Sequence, residues 1–302
     1  MNNLRFGIVT DFYGPGAPLE KALPLLARAG IRDVEIPGGQ LAPDILNPPS
    51  LRLKKHTDRL RALKRLADDL NIRIWQVHGP YGSCDLVSVS EKQRIKNLDV
   101  YKSWIDYARE LQAGTLIIHP GGRNDLCSSR DIMFIKEKNA DSLARLARHS
   151  GAGELKLAIE NLPGKCMEAP DASSMFGNRI EDLLELLAMV ADARLGICID
   201  TGHANIENWD IAAAIRKTGD KLIATHLQEN NGVYDMHMLP FSLRPQWSRM
   251  NWLEIFGAFN DIAYPYPLIG ECANSSGEYP LWLLDKYLKH QKELMDTVLA
   301  KL

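Results

Sequence analysis

Short apolar runs alternate with longer amphipathic stretches from one end of the chain to the other. The runs are rich in Ile, Leu and Val, which is typical of parallel strands that are buried on both faces. We predict eight such strands, at Arg5–Thr10, Asp33–Ile36, Arg73–Val77, Thr115–Ile118, Lys156–Ile159, Leu195–Ile199, Leu222–Thr225 and Pro267–Gly270.

The stretches between these runs carry apolar residues at helical spacing. They predict helices at Leu19–Ala29, His56–Leu70, Ser90–Leu111, Ile132–Arg148, Arg179–Ala191, Asp210–Thr218, Asn251–Phe259 and Tyr279–Leu302. No linker or low-complexity segment interrupts the alternation, so residues 1–302 are expected to form one α/β domain, a (β/α)8 TIM barrel. An open, doubly wound sheet is the alternative, and it would spread the strand ends along a line.

A polar side chain directly follows six of the predicted strands. These side chains are His78, His119, Glu160, Asp200, His226 and Glu271. Carboxylates are rarely buried without partners, so packing alone does not explain them. A closed barrel would gather all six at one mouth, which favours the barrel over the open sheet. A divalent metal is the simplest agent that would hold such a set together.

Three further polar residues extend this set. In the segment Asp200-Thr201-Gly202-His203 the glycine is expected to allow a tight turn, so that Asp200 and His203 can face one site. Asp235 and His237 are two residues apart in a long loop, and this spacing places both on one side of an extended backbone. Such a pair is suited to chelation.

Composition and charge exclude some classes of partner. The formal net charge of −2 gives no electrostatic footprint for nucleic acid or an anionic membrane. No apolar stretch approaches the ~20 residues that a membrane helix needs, and no N-terminal signal is expected ahead of the first strand. The cysteines are odd in number and form no CxxC pair, which favours reduced thiols and a cytoplasmic location; they are Cys84, Cys127, Cys166, Cys198 and Cys272.

The segments around the polar strand ends resemble the xylose-isomerase-like TIM-barrel superfamily. The resemblance covers nearly the whole chain and is carried by Asp200-Thr-Gly-His203-Ala, by His226 with the later Asp235-Met-His237, and by Glu271. That superfamily contains sugar and sugar-phosphate isomerases and epimerases, inosose-processing enzymes and apurinic endonucleases of the endonuclease IV type. The resemblance implies a core metal site formed by Glu160, Asp200, His226 and Glu271.

The resemblance also implies positions for additional metal ions. In members that bind more than one ion, His78 and His119 match two further ligands, and His203, Asp235 and His237 match a third site. In the endonuclease-like interpretation three zinc ions would activate a hydroxide that attacks a DNA phosphodiester. In the isomerase-like interpretation one ion would polarise the carbonyl or a hydroxyl of a sugar.

In the isomerase-like interpretation, Glu160 and Glu271 would be the catalytic pair. One would remove a proton next to the carbonyl of the sugar and the other would return it. His203 would stabilise the developing charge, while His78, His119 and His237 would bind substrate hydroxyls. The ion itself is expected to be Mn, Mg, Co or Zn, since three oxygen ligands and one nitrogen suit Mn or Mg and the extra histidines favour Zn.

The distribution of basic residues favours a small carbohydrate substrate over DNA. A DNA-binding protein needs several Lys or Arg contacts to phosphates. The long loops after the strands are poor in such residues: Gly79–Val89 has none, Gly121–Asp131 has Arg123 and Arg130, and Asn161–Asn178 has only Lys165. A metal-dependent isomerase or epimerase is therefore the preferred prediction, with the apurinic endonuclease as the alternative and nucleic acid not expected as a partner.

Three residues are predicted to contact the substrate, namely Asn161, Arg244 and Trp247. Asn161 is expected to orient a ligand indirectly, through hydrogen bonds to the residues that hold it, while Arg244 and Trp247 are expected to hold an anionic group of the sugar, stack on its apolar face or close a lid. The Phe241–Met250 segment replaces a short Pro-Gly-x-Gly turn that is usual in the family, which leaves a lyase or dehydratase open. Aromatic residues near Trp247 and Trp252 are expected to be exposed and to form a homo-oligomer interface.

Two other residues admit alternatives. Glu35, at the end of the second predicted strand, is expected either to point into the mouth of the barrel or to pair with a barrel arginine. Trp75, in the third strand, is expected to be either barrel core or a platform for a sugar, with core favoured.

Overall fold

The chain forms a barrel of parallel strands surrounded by helices. The computed structural model describes residues 4–13, 18–82, 84–88, 90–122, 129–164, 175–272 and 281–302. Within these ranges eight strands pair in parallel in the order β7-β6-β5-β4-β3-β2-β1-β8. They are β1 Arg5–Val9, β2 Asp33–Pro37, β3 Arg73–His78, β4 Thr115–Ile118, β5 Lys156–Glu160, β6 Leu195–Asp200, β7 Leu222–His226 and β8 Pro267–Gly270.

The predicted helices also form, with ends that shift by a few residues. In the described ranges the helices are α1 Leu19–Arg28, α2 Gly38–Leu41, α3 Lys54–Asp69, α4 Glu91–Glu110, α5 Ser129–Ser150, α6 Ile180–Val190, α7 Thr201–Ile206, α8 Ile211–Thr218, α9 Trp252–Asp261 and α10 Leu281–Leu299. The short helices α2 and α7 were not predicted, because an element of one turn has too little hydrophobic periodicity to read. The predicted (β/α)8 TIM barrel is thus confirmed, and the open sheet was wrong.

β7 and β8 stand at the two ends of this strand order, and the segment after β7 joins them to close the barrel. The amide of Leu227 donates to the carbonyl of Ile269 (2.7 Å), and the amide of Glu271 donates to the carbonyl of Leu227 (3.0 Å). The hydroxyl of Thr225 accepts from the amide of Ile269 (3.0 Å). These bonds join β7 to β8, so the carboxyl ends of all the strands surround one mouth.

The alternation of residues along a strand determines which side chains reach that mouth. In β5, Leu157 and Ile159 pack outward on the helices, while Ala158 lies in a second buried cluster with Cys198 and Ala224 from the neighbouring strands. Glu160 has the same parity as Ala158 and therefore continues the inner face. The barrel interior is apolar beneath the mouth and polar at the carboxyl ends of the strands.

A β-bulge in β3 changes the side of the barrel on which the following residues lie. The register of β2 against β3 runs from Val34 with Ile74 to Glu35 with Gln76, so Trp75 is the extra residue. The ring of Trp75 stacks on Tyr266 (centroids 4.8 Å apart), just before β8 and thus far from the mouth. Trp75 is half-buried between Tyr266 and Arg73 at the opposite end of the barrel, so it is not a sugar platform, and it does not belong to the buried core either.

The structure tests the predictions about membrane helices, cysteines and exposed aromatic residues. No helix in the described ranges is long and apolar enough to span a bilayer. Cys84, Cys198 and Cys272 are free and buried, while Cys127 and Cys166 lie outside the described residues. The expected exposure of Trp252 was wrong: it is 3% exposed and stacks on Phe256 at the start of α9. A homo-oligomer stays a prediction.

Candidate metal centre

Four consecutive strands deliver one ligand each to the mouth of the barrel. Glu160, Asp200 and His226 are the last residues of β5, β6 and β7, and Glu271 follows β8 directly. One donor atom from each of the four lies within 4.8 Å of the others. Since metal–ligand bonds to nitrogen and oxygen are about 2.0–2.2 Å long, this spacing lets four donors surround one cation. The structure thus brings together the four ligands that the sequence predicted.

The carboxylate of Glu160 connects this set to two further histidines. Its Oε1 lies 2.9 Å from Nδ1 of His226. Its Oε2 lies 3.0 Å from Nε2 of His119 and 3.4 Å from Nε2 of His78. Each oxygen therefore faces a different group of imidazole nitrogens. A carboxylate in this position is able to bridge two cation positions.

The remaining predicted residues form a third group at the rim. Oδ2 of Asp235 lies 3.3 Å from Nε2 of His203 and 3.1 Å from Nε2 of His237. Gln228 donates to Oδ1 of Asp235 (2.5 Å), which orients the carboxylate. His237 has φ 49°, in the left-handed region, a conformation that is uncommon for a residue other than glycine. The loop thus holds His237 in a strained backbone conformation with its ring aimed at Asp235.

The hydrogen bonds of three histidines fix their tautomers. Nδ1 of His78 lies 2.9 Å from the carbonyl of Gly79, Nδ1 of His203 lies 2.9 Å from the carbonyl of Asn161, and Nδ1 of His237 lies 3.0 Å from that of Glu271. A carbonyl oxygen only accepts hydrogen bonds, so each Nδ1 carries the proton. Each Nε2 then directs a lone pair at the cluster, as metal-binding histidines do.

His226 presents the opposite nitrogen to the cluster. Its Nε2 lies 2.8 Å from Oε2 of Glu35, while its Nδ1 faces Glu160 and, at 3.3 Å, Oε2 of Glu271. Of the two alternatives for Glu35, the side chain points into the barrel, and its partner is this histidine and not an arginine. Gln76, which the bulge in β3 turns inward, donates to the same oxygen of Glu35 (2.6 Å).

Close contacts between carboxylate oxygens and unprotonated imidazole nitrogens would bring lone pairs together. Such contacts need either a proton or a cation between the two atoms. Burial opposes the charged ring of His78, yet the hydrogen bond to Glu160 and the charge of Glu35 raise its pKa to about 9. Burial likewise opposes the charged ring of His237, but Glu271 and Asp235 raise its pKa to about 10. Protons therefore occupy the contacts when no cation does.

The two predicted catalytic carboxyl groups differ in their preferred charge state. Burial disfavours ionisation of Glu160, but the positive charges of His226 and His119 hold its pKa well below the usual range. Burial raises the pKa of Glu271 to about 8, and the negative charges of Asp200 and Glu160 act in the same direction. In the metal-free centre one carboxylate is thus ionised and the other holds a proton near neutral pH.

The residues present fit a divalent cation. Oε2 of Glu271 is buried and accepts no hydrogen bond from the residues that the structure describes. Such an atom is costly unless something else satisfies it. A cation among Glu160, Asp200, His226 and Glu271 would satisfy it and would neutralise the carboxylates around it. Three oxygen donors and one nitrogen suit Mn or Mg, while the nearby histidines favour Zn, so the identity of the ion stays a prediction.

Gly202 is needed for space and not for the turn that the sequence suggested. Its φ is not in the positive range in which glycine is favoured. A methyl group at this position would instead overlap the side-chain amide of Gln228, the residue that orients Asp235. The requirement comes from close packing of α7 against the loop after β7.

Replacing Gly202 by Ala is expected to destabilise the protein by about 1–3 kcal/mol, because the added methyl group forces Gln228 to move. Gly257→Ala is the matched control, since Gly257 lies inside α9 with nothing within 4 Å of the added atom. The control is expected to raise the stability by about 0.5–1 kcal/mol. Denaturant unfolding measures both. Equal effects of the two substitutions would contradict the packing argument.

Of the three predicted substrate residues, Asn161 supports residues of the cluster, whereas Arg244 and Trp247 lie apart from it. Asn161 is fully buried, and its side-chain amide donates to the carbonyl of Asp200 (3.0 Å) and accepts from its amide (2.7 Å). It therefore braces β5 against β6, which agrees with the expected indirect role in orienting a ligand. Arg244 lies over the ring of Trp247, which is 59% exposed, and no contact joins either to the cluster in the described part of the chain.

Sequence reasoning missed two residues that shape the centre, Gln76 and Gln228. A polar residue inside an apolar strand was an available indication for Gln76. Gln228 had no such indication, since a polar residue in a loop is ordinary. Arg123 and Lys165, considered as possible phosphate contacts, lie outside the described residues.

A comparison with protein families decides the assignment. Residues 23–296 match the family described as xylose isomerase-like TIM barrel. The chain belongs to this family. The resemblance inferred from the motifs is thereby confirmed, and the match includes every residue of the cluster. The family holds proteins of more than one activity, as the individual relatives illustrate.

The relatives include both sugar epimerases and nucleases. The uncharacterized MJ1311 protein of Methanocaldococcus jannaschii is 25% identical over 207 residues, 68% of this chain and 66% of that protein. Fructoselysine 3-epimerase of Shigella flexneri is 26% identical over 231 residues, 74% of this chain and 75% of the epimerase. Probable endonuclease 4 of Thermoplasma acidophilum is 23% identical over 160 residues, 53% of this chain and 50% of the endonuclease.

The extent of these matches varies. In the first three relatives the match spans 66%, 55% and 59% of the relative's own length, which is less than two thirds. Solved structures align over nearly the whole chain. D-psicose 3-epimerase, crystallised in the presence of D-fructose, aligns with a TM-score of 0.76 at 18% identity, covering 98% of this chain and 99% of that one.

L-ribulose 3-epimerase aligns equally well, with a TM-score of 0.76 at 18% identity, covering 99% of this chain and 95% of that one. At such identities the likeness establishes the fold. What the site does has to be argued from its own chemistry.

Proposed function

We propose that the protein is a divalent-metal-dependent sugar epimerase or isomerase that acts by proton transfer next to a carbonyl group. The observation that carries the proposal is the geometry of Glu160, Asp200, His226 and Glu271, whose donor atoms lie within 4.8 Å of one another, with the two glutamates on either side of Asp200 and His226. Two relatives, a fructoselysine 3-epimerase and a D-psicose 3-epimerase, support the same class of substrate.

A cation held by the four ligands would polarise the carbonyl of a keto sugar and so acidify the neighbouring C–H bond. Glu160 is placed to take that proton, and Glu271, on the other side of Asp200 and His226, is placed to return one taken up from solvent. Delivery to the opposite face of the carbon gives the epimer, and delivery to the other carbon gives the isomer. His203, whose Nδ1 donates to the carbonyl of Asn161, would in its charged form donate from Nε2 to the oxygen on which negative charge develops.

The proposal is tested by exchange of the substrate proton with solvent. The Mn²⁺-loaded protein is incubated in D2O with D-psicose, D-fructose and D-tagatose, and deuterium at the carbon next to the carbonyl is followed by NMR. Deuterium uptake with formation of the epimer supports the proposal, and loss of both after chelation assigns them to the metal form. No uptake in a broad panel of ketoses and aldoses would overturn it.

A second candidate function rests on a separate observation. Besides the four core ligands, the structure brings His78 and His119 to Oε2 of Glu160 and brings Asp235 between His203 and His237. These are the positions at which the endonuclease-like interpretation requires additional zinc ions. Hydrolysis of a phosphodiester in abasic DNA is therefore the second candidate.

The number of bound ions distinguishes the two candidates. Elemental analysis of protein purified without chelators or affinity metal is expected to give about one ion per chain for the epimerase and about three zinc ions for the nuclease. Asp235→Asn sharpens the result, because it removes a ligand of the third position alone. A loss of about one ion per chain in this variant identifies a third site. An unchanged number of ions means that Asp235 braces its loop and is not a ligand.

A further inference from the structure

His226 differs from three other histidines of the centre in the group that accepts a hydrogen bond from the ring nitrogen pointing away from the cluster. His78, His203 and His237 donate to uncharged backbone carbonyls. His226 instead donates from Nε2 to a carboxylate, Oε2 of Glu35, at 2.8 Å. Both side chains are almost entirely excluded from water, with exposures of 0% and 1%. A charged acceptor in such surroundings makes a stronger hydrogen bond than a carbonyl does.

Other bonds inside the barrel fix the position of this carboxylate. Nε2 of Gln76 donates to Oε2 of Glu35 (2.6 Å), and the bulge in β3 pairs Gln76 with Glu35 in the register of the sheet. The amide of Gln76 also reaches across the barrel to the backbone of Thr225, with Nε2 3.4 Å from its carbonyl. Thr225 immediately precedes His226. The network therefore runs from β3 through β2 to the residue that presents a ligand on β7.

We propose that Glu35 is a positioning residue that sets the affinity of the metal centre through His226. Because a carboxylate only accepts hydrogen bonds, Glu35 keeps the proton of His226 on Nε2 and leaves the lone pair of Nδ1 directed at Glu160 and Glu271. The negative charge also increases the electron density on Nδ1, which strengthens its bond to a cation. The inference rests on the metal centre of the proposed function, but not on the substrate.

The experiment measures binding of Mn²⁺ alone, by competition with a fluorescent chelator, in the absence of any sugar. Glu35→Gln is expected to raise the Kd for Mn²⁺ about 10- to 100-fold. The oxygen of the new amide can take the place of Oε2 and accept from both His226 and Gln76, but it lacks the charge. With Co²⁺ in the site, the visible absorption bands are expected to shift as the histidine ligand weakens.

Asp33→Asn is a matched control on the same strand. Asp33 is also a buried carboxylate of β2, but it lies at the opposite end of the strand and pairs with Arg73 (2.6 Å). Its replacement is expected to lower the melting temperature while the Kd for Mn²⁺ stays within about twofold. Equal losses of affinity in the two variants would show a general effect of stability and overturn the proposal, as would an unchanged Kd in Glu35→Gln.

Gln76→Leu tests the same network where Glu35→Gln fails to fold. It keeps the charge of Glu35 and removes one hydrogen bond to it, so a smaller loss of Mn²⁺ affinity, about two- to tenfold, is expected. An unchanged affinity in this variant contradicts the network. Because sugar turnover is not measured, failure of the epimerase proposal leaves these results interpretable. An unchanged Kd in an active epimerase would reject the role of Glu35 alone.

Discussion

Replacing Glu160 or Glu271 by Gln is expected to lower the turnover of a keto sugar by roughly two to four orders of magnitude, the usual contribution of a general acid or base. The substitution keeps the size of the side chain but removes its ability to accept or release a proton. The folded barrel should survive, because both side chains lie at the mouth and not between the sheet and the helices. Measurement of kcat and circular dichroism on the same preparation checks both parts.

The interpretation of these variants depends on their metal content, since both glutamates are also ligands. Turnover should therefore be compared at saturating Mn²⁺, with bound metal measured by elemental analysis. Glu229→Gln is the matched control: Glu229 is a buried glutamate just after β7, but its Oε2 accepts from the amide of Leu243 (3.0 Å). This variant should retain turnover within a few-fold. Wild-type turnover in Glu160→Gln or Glu271→Gln would reject the acid–base assignment.

The barrel could be predicted because its strands are buried on both faces. Each such strand is an apolar run that stands out from the amphipathic helices around it, and the run in Leu195–Asp200 is an example. A polar residue directly after the run then has a determined place, since the carboxyl ends of parallel strands in a barrel share one mouth. The four core ligands follow from this rule and from the motifs around them.

The partners of those ligands could not be predicted, because they depend on contacts between distant segments. The role of Gln76 follows from a bulge in β3, and a single extra residue in a strand leaves no clear trace in an apolar pattern. The requirement at Gly202 arises from the approach of Gln228, which is 26 positions further along the chain. Tautomers are likewise decided by the nearest acceptor in space, as the contrast between His203 and His226 shows.

The sequence decides the place of loop residues least, for the same reason. Arg244 and Trp247 have residue types that suit a sugar, yet residue type does not place a long loop over the mouth. Asn161 was expected to orient a ligand through hydrogen bonds. Its side chain has the opposite parity to that of Glu160 and bonds to the backbone of β6, while its carbonyl accepts from His203.

Removal of the metal is expected to make the stability of the protein strongly dependent on pH. In the metal-free centre the pKa of Glu271 is about 8, that of His78 about 9 and that of His237 about 10, each above the ordinary value of the group. The folded state then binds more protons than the unfolded state, so stability falls as the pH rises. The stabilisation is complete below the ordinary pKa values and disappears as the pH rises through about 8 to 10.

The carboxylates with lowered pKa values act in another range of pH. Glu160 and Asp235 bind fewer protons in the folded state, so their stabilisation is present above about pH 4.5 and is lost only in acid. Between pH 6 and pH 9 the groups with raised pKa values therefore determine the slope, roughly 1.4 kcal/mol per pH unit for each additional proton held. Chelated protein should melt at a clearly lower temperature at pH 9 than at pH 6.

Bound metal should remove this dependence, because the cation replaces the protons between the imidazole nitrogens and the carboxylates. At a metal concentration of about a thousand times Kd the stabilisation is about 4 kcal/mol, a shift of the order of 5–10 °C in melting temperature. The gap between loaded and chelated protein should therefore widen from pH 6 to pH 9. Asp200→Asn, which lacks a core ligand, should show a much smaller gap at both pH values. A melting temperature that chelation leaves unchanged at pH 9 would mean that the cluster at the carboxyl ends of β5 to β8 holds protons only.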